Sequence, residues 1–98
     1  MIEVRKTEIF AAWFDALRDR EARIRIQVRI DRLAMGNPGH HRVLSGGVCE
    51  MKIDHGPGYR VYYARHGQAW VLLLCGGSKK TQKADIDVAL ALAKGLEH

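Results

Sequence analysis

Three alternating runs in the second half of the chain constrain its fold more than any other feature. Residues 48–54, 59–65 and 69–75 each read as a strand, separated by short glycine-containing turns. His55-Gly56-Pro57-Gly58 makes the first turn and His66-Gly67-Gln68 lies at the second. Strands joined by such short links pair antiparallel, because a parallel connection needs a crossover of about a dozen residues. The prediction is a meander with two distinct faces. Alternation assigns Cys49, Met51, Ile53, Tyr59, Val61 and Tyr63 to an apolar face suited to packing against helices. Glu50, Lys52, Arg60 and Tyr62 then point the other way. Lys52 falls opposite Arg60, Glu50 opposite Tyr62 and Met51 opposite Val61, since this parity keeps both faces consistent. Val71 and Leu73 are expected on the Lys52/Arg60 face as well.

The remainder supplies helices and one further strand. Ile2 and Val4 alternate with Glu3 and Arg5, a short first strand. From Thr7, a suitable N-cap, Phe10, Trp13, Phe14 and Leu17 follow at spacings of three and four through residue 18. Residues 19–35 carry two patterns. Ile24, Ile26, Val28 and Ile30 alternate as in a strand, whereas Ala22, Ile26, Ile30 and Leu33 form a helical face. No turn residue interrupts the segment, and that length favours a helix, but periodicity alone leaves both readings open. Gly36-Asn37-Pro38-Gly39 ends it. Ile86, Ala89, Leu90 and Ala93 make a closing helical stripe. The order is strand, two-helix hairpin, antiparallel meander of three to four strands, and C-terminal helix: an α+β class domain.

At 98 residues the chain is expected to be one domain, over residues 1–95, with 96–98 resembling an expression-tag remnant. No apolar run approaches the roughly 18 residues of a membrane span. The charged, alternating start is unlike a signal peptide, so a cytoplasmic location is expected. Cys49 and Cys75 sit in apolar segments and suit reduced core residues better than a disulfide. Without CxxC or clustered Cys/His pairs, neither a metal nor another cofactor is expected. Sixteen Lys and Arg against eleven Asp and Glu give a net charge of +5, compatible with nucleic acid or an acidic protein as partner.

Candidate chemistry centres on the polar meander face. Lys52 and Arg60 with Glu50 and Tyr62 could hold a phosphodiester and stabilise charge developing on it. The plain alternative is a solvated sheet face with cross-strand charge pairs. Gly76-Gly77-Ser78-Lys79-Lys80-Thr81-Gln82 follows the last run. Its glycines would let backbone amides approach an anion beside Lys79 and Lys80, or they make an ordinary strand-to-helix turn. The spacing is not that of a Walker A loop. His40 and His41 fall in a glycine-rich loop, His55 and His66 at turns. His55 alone is placed to approach the polar face, as a proton-transfer candidate. No serine or cysteine is arranged as in a catalytic triad. Trp13 and Trp70 are expected in the core.

Taken together, Arg32-Leu33-Ala34-Met35-Gly36-Asn37, Gly56-Pro57-Gly58-Tyr59-Arg60-Val61-Tyr62-Tyr63, Leu73-Leu74-Cys75-Gly76-Gly77-Ser78-Lys79-Lys80-Thr81-Gln82 and Asp85-Ile86 carry a resemblance. The chain resembles the RelE/ParE toxin superfamily, in its phage-derived HigB-like "addiction module killer" group, from Phe10 to Leu92. The resemblance implies a helix for residues 19–35. It also implies a ribosome-dependent, metal-independent mRNA interferase, in which the ribose 2′-hydroxyl attacks the adjacent phosphate and leaves a 2′,3′-cyclic phosphate. By the same resemblance Lys52 and Arg60 are phosphate stabilisers, and Lys79 or Lys80 lies beside the leaving group. The partners it implies are ribosome, mRNA and a cognate antitoxin, of helix-turn-helix type. Where some relatives carry a second strand lysine this chain has Glu50, a base or an anchor for Lys52. The C-terminal tyrosine of some relatives has no match near Asp85-Ile86, which leaves the general base unassigned. A gyrase-inhibiting toxin and a decayed module that only binds antitoxin are the rival readings, and a homodimer is left open.

Overall fold

The computed structural model describes residues 1–97; of the expected tag remnant, His98 lies outside the described residues. The elements are β1 (Glu3–Lys6), α1 (Glu8–Asp15), α2 (Arg20–Ala34), β2 (His41–Val43), β3 (Val48–Ile53), β4 (Tyr59–His66), β5 (Trp70–Ser78) and α3 (Gln82–Lys94). Short 3₁₀ turns occupy Lys79–Thr81 and Gly95–Glu97. The class is α+β, as the sequence predicts. The five strands form one mixed sheet in the order β1-β5-β4-β3-β2, with β1 parallel to β5 and every other pairing antiparallel. The segment expected as a loop around His41 is an edge strand, β2. No helix among the described residues is long and apolar enough to cross a membrane.

Both helices of the hairpin start on side-chain caps. Thr7 Oγ1 accepts from the Phe10 amide at 3.0 Å, and Asp19 Oδ1 accepts from the Ala22 amide at 3.1 Å. The two patterns within residues 19–35 resolve as a helix. Ala22, Ile26, Ile30 and Leu33 are buried, while Ile24 and Val28 of the strand-like alternation are left exposed. Four buried residues at helical spacing outweigh the alternation, since each apolar side chain fully buried contributes about 1.5–3 kcal/mol.

The sheet separates two cores. On one face, Phe10, Ile26, Ile30 and Leu33 of the hairpin pack against Met51, Ile53, Val61, Tyr63, Val71 and Leu73. On the other, Ala89 and Ala93 of α3 pack against Val48, Tyr62, Ala64, Leu74 and Cys75. The β3–β4 register is the one parity requires: Lys52 opposite Arg60, Met51 opposite Val61, Glu50 opposite Tyr62. Between β4 and β5 the register shifts. Tyr62 pairs with Cys75 and Tyr63 with Leu73, leaving Leu74 as an extra residue in β5. This bulge reverses the expected placement of Val71 and Leu73. They face the helical hairpin, not Lys52 and Arg60, because one inserted residue turns the rest of the strand over.

Gly76 and Gly77 also differ from expectation. They are ladder residues of β5, opposite Val61 and Arg60, not an anion-cradling loop. Their smallness serves packing. A Cβ on Gly76 would enter the Trp13 ring, and one on Gly77 would overlap the Asp85 carboxylate and the Thr81 hydroxyl. Gly76→Ala is therefore expected to destabilise the fold by about 1–3 kcal/mol through overpacking. Gly95→Ala, at a helix end with open space around it, should leave the urea midpoint unchanged or raise it.

Cys49 and Cys75 are free thiols. Burial pushes the Cys75 pKa up to about 12, with the Asp85 carboxylate adding in the same direction. Cys75 is thus an inert core thiol.

Candidate active site

Two cross-strand rows meet at the open end of the sheet. In the first, Lys52 of β3 lies opposite Arg60 of β4, which lies opposite Gly77 of β5. In the second, Arg42 of β2 lies opposite Glu50, Glu50 opposite Tyr62, and Tyr62 opposite Cys75. The β2–β3 ladder runs one residue beyond β2, since the Lys52 amide donates to the His40 carbonyl at 3.0 Å. Between these rows and the start of α3 lies a cleft of about 370 Å³, lined by His40, His41, Arg42, Glu50, Lys52, Arg60 and Gln82.

The face is not the open surface that alternation suggests. Packing of α3 buries much of it, leaving Glu50 only 5% exposed, Arg60 6% and Tyr62 0%. Glu50 is the hub. Its Oε1 accepts from Arg42 Nε at 2.7 Å, and its Oε2 accepts from the Tyr62 hydroxyl at 3.0 Å and Gln82 Nε2 at 2.9 Å. Burial alone would push this carboxyl up, but hydrogen bonds from Arg42, Gln82 and Tyr62 outweigh it and hold Glu50 below the ordinary carboxylate range. The Tyr62 hydroxyl is driven the opposite way, by burial first and by its bond to Glu50 second, and keeps its proton. Glu50 thus holds other side chains in place rather than standing free as a base.

Arg60 is nearly enclosed yet incompletely paired. Its Nη1 donates to the Gly58 carbonyl at 2.8 Å, while Nε is buried without a hydrogen-bond partner, 3.9 Å from Glu50 Oε2. A buried guanidinium N–H without an acceptor is costly, and the nearby Glu50 carboxylate is the charge that offsets it. Lys52 is partly exposed, with a loose 3.7 Å contact to Asp54. The Lys52–Arg60–Arg42 group gives the cleft its positive character, with Glu50 beneath.

Lys79 and Lys80 do not line the cleft. They are exposed in the 3₁₀ turn after β5, where the Lys79 amide donates to the same Gly58 carbonyl that Arg60 uses. The turn after β3 thereby ties the backbone of Lys79 to Arg60. His55 does not approach this face either. Its Nε2 lies 3.0 Å from Asp19 Oδ2, at the N-cap of α2. Trp13 packs against the hairpin core as expected, but Trp70 is only partly buried. It stacks on His66 at 5.0 Å, with the Arg5 guanidinium 5.0 Å from its ring.

Several cleft residues escaped the sequence reading. Arg42 and His41 lie on a strand of only three residues and His40 just precedes it, a segment too short for periodicity to register. Gln82 stood beside the basic turn, but nothing local shows that α3 aims it at Glu50. Arg29 looked like one more polar residue of α2. It is half-buried and fastens the site from behind, donating to the carbonyls of Lys52 at 2.6 Å, Pro38 at 3.0 Å and His40 at 3.0 Å. The one available signal was its helical spacing, three residues after Ile26 and four before Leu33 on the buried stripe of α2.

Residues 12–94 match the family described as phage derived protein Gp49-like (DUF891). The chain belongs to that family. The matched span of this Gp49-like protein runs from within α1 to the last residue of α3 and includes every residue lining the cleft. An uncharacterized protein of Haemophilus influenzae is 41% identical over 95 residues, covering 97% of this chain and 96% of the relative. The likeness to that relative is therefore end to end and not confined to one motif.

Proposed function

We propose that this Gp49-like protein is the toxin of an addiction module, HigB-like within the RelE/ParE superfamily, and that it cleaves mRNA on the ribosome in the cytoplasm. The observation that carries this reading is the cationic cleft in which Lys52 and Arg60 lie opposite each other on adjacent strands, with Arg42 beside them. Lys52 and Arg60, opposite each other on adjacent strands, would hold the scissile phosphate and stabilise the negative charge that grows as the 2′-hydroxyl attacks in line. Lys79 and Lys80, exposed on the flank, would draw in the neighbouring backbone phosphates. A cognate antitoxin, encoded beside the toxin and of helix-turn-helix type, would keep the cleft silent.

Induced expression in a bacterial host, with translation and the DNA-damage response followed separately, tests this reading. A rapid block in protein synthesis with new mRNA 5′ ends is the expected outcome. An SOS response with translation intact would replace the proposal with gyrase inhibition, and no effect on either would leave an antitoxin-binding module.

A further inference from the structure

Cleavage by an internal 2′-hydroxyl requires a group that takes that proton, and the cleft narrows the choice. Arginine and amide side chains there offer no basic acceptor, and Lys52 is assigned above to holding the phosphate. Glu50 has both carboxylate oxygens occupied by Arg42, Tyr62 and Gln82. The Tyr62 hydroxyl is spent on Glu50. Two imidazoles are left, and the ladder separates them. His41 pairs with Met51, whose side chain belongs to the hairpin core, and His41 Nδ1 is 2.8 Å from the Gly39 carbonyl. His40 stands one residue earlier, joined to Lys52 by the amide-to-carbonyl bond that extends the ladder, and so falls in the Lys52–Arg60 row. Cross-strand neighbours bring their Cβ atoms to about 4.5–5.5 Å, and two strand spacings set His40 about 10 Å from Arg60. That span accommodates a phosphate over Lys52 and Arg60 with the preceding ribose toward His40. Arg29 fixes the His40 end of this row to its middle by holding the carbonyls of His40 and Lys52 together.

We propose that His40 is the proton acceptor of this site, an assignment that rests on the RNA-cleavage reading above. Its neutral ring takes the proton of the ribose 2′-hydroxyl as the O2′–P bond forms and the P–O5′ bond breaks. The departing 5′-oxygen takes a proton from water. The imidazolium then returns its own proton to solvent, so the products are a 2′,3′-cyclic phosphate and a 5′-hydroxyl with no net proton change.

The test uses the purified chain in a reconstituted translation reaction with a defined mRNA, cleavage being mapped by primer extension. His40→Ala is expected to cut about a hundred- to ten-thousandfold more slowly, and added imidazole should restore part of the rate. His66→Ala, stacked on Trp70 at the far end of β4, should cut like the parent. If His40→Ala matched the parent while Arg60→Ala was inactive, the assignment of His40 would be overturned and RNA cleavage retained. If His40→Gln kept the full rate, hydrogen bonding or packing rather than proton transfer would be the role of this residue, again overturning it. If the parent chain itself cut no mRNA on ribosomes, the cleavage reading would fall and His40 with it.

Discussion

Under the proposed RNA-cleavage function, Arg60→Ala is expected to lower ribosome-dependent mRNA cleavage by about a hundredfold or more, because it would remove the charge set against the developing phosphorane. The fold will feel the change as well. An arginine on an open sheet face would be inert toward stability, as the alternation pattern suggests, but Arg60 is enclosed and bonded to the Gly58 carbonyl. Arg60→Lys therefore accompanies it. That variant keeps the positive charge and much of the packed stem but not the fork that can grip two phosphate oxygens, so it should recover stability more than rate. Lys52→Ala is expected to act in the same direction as Arg60→Ala, and loss of both Lys79 and Lys80 should weaken substrate docking. The matched control is Arg65→Ala on β4, an exposed residue whose side chain donates to the Gly67 carbonyl, which should cut like the parent. Primer extension reports the cut and circular dichroism reports the fold. Wild-type cleavage by a folded Arg60→Ala protein would remove Arg60 from the mechanism.

The second large effect belongs to Glu50. Glu50→Ala strands a buried tyrosine hydroxyl and removes the carboxylate nearest the enclosed Arg60. A loss of about 3 kcal/mol in unfolding free energy is expected, with the exposed half of the Arg42 pair contributing little of it. The same carboxylate sets a pH dependence. Its folded-state pKa lies below the ordinary value of 4.5, so the folded protein holds the charged form more tightly than the unfolded chain does. The stabilisation is complete above that ordinary value and is lost as pH falls through the lower, folded-state one. Urea unfolding followed from neutral to acid pH should show the parent losing stability on the acid side. Glu50→Gln, with nothing to titrate there, should show a flatter profile. Equal slopes for the two proteins would mean that Glu50 is not the group responsible.

Much of the fold was legible because it rests on local periodicity. The β3–β4 register follows from parity alone, and the caps at Thr7 and Asp19 are visible as residue types. Val71 and Leu73 were misplaced because a bulge is a property of strand pairing; nothing in Leu72-Leu73-Leu74-Cys75 shows which residue is the extra one. The site was legible in part for the same reason. Lys52, Arg60, Glu50 and Tyr62 are neighbours by register, and the structure does bring them together. Lys79 and Lys80 were associated with them by chain proximity to β5, yet their side chains stay outside the cleft. Arg42, Gln82 and Arg29 reach the site by tertiary packing from β2, α3 and α2, which no local pattern encodes.

The parallel pairing of β1 with β5 also bears on synthesis. Among the described residues the first strand pairs only with the last, and Thr7 Oγ1 donates to the Leu74 carbonyl 67 residues away. Closing so large a loop is entropically slow, and contacts of this range form late in folding. A chain emerging at about 5–20 residues per second spends several seconds with β1 and its helices exposed before β5 leaves the ribosome. The helix that supplies Gln82 and covers Glu50 emerges later still. A nascent chain halted anywhere before β5 thus has neither a closed sheet nor a finished cleft.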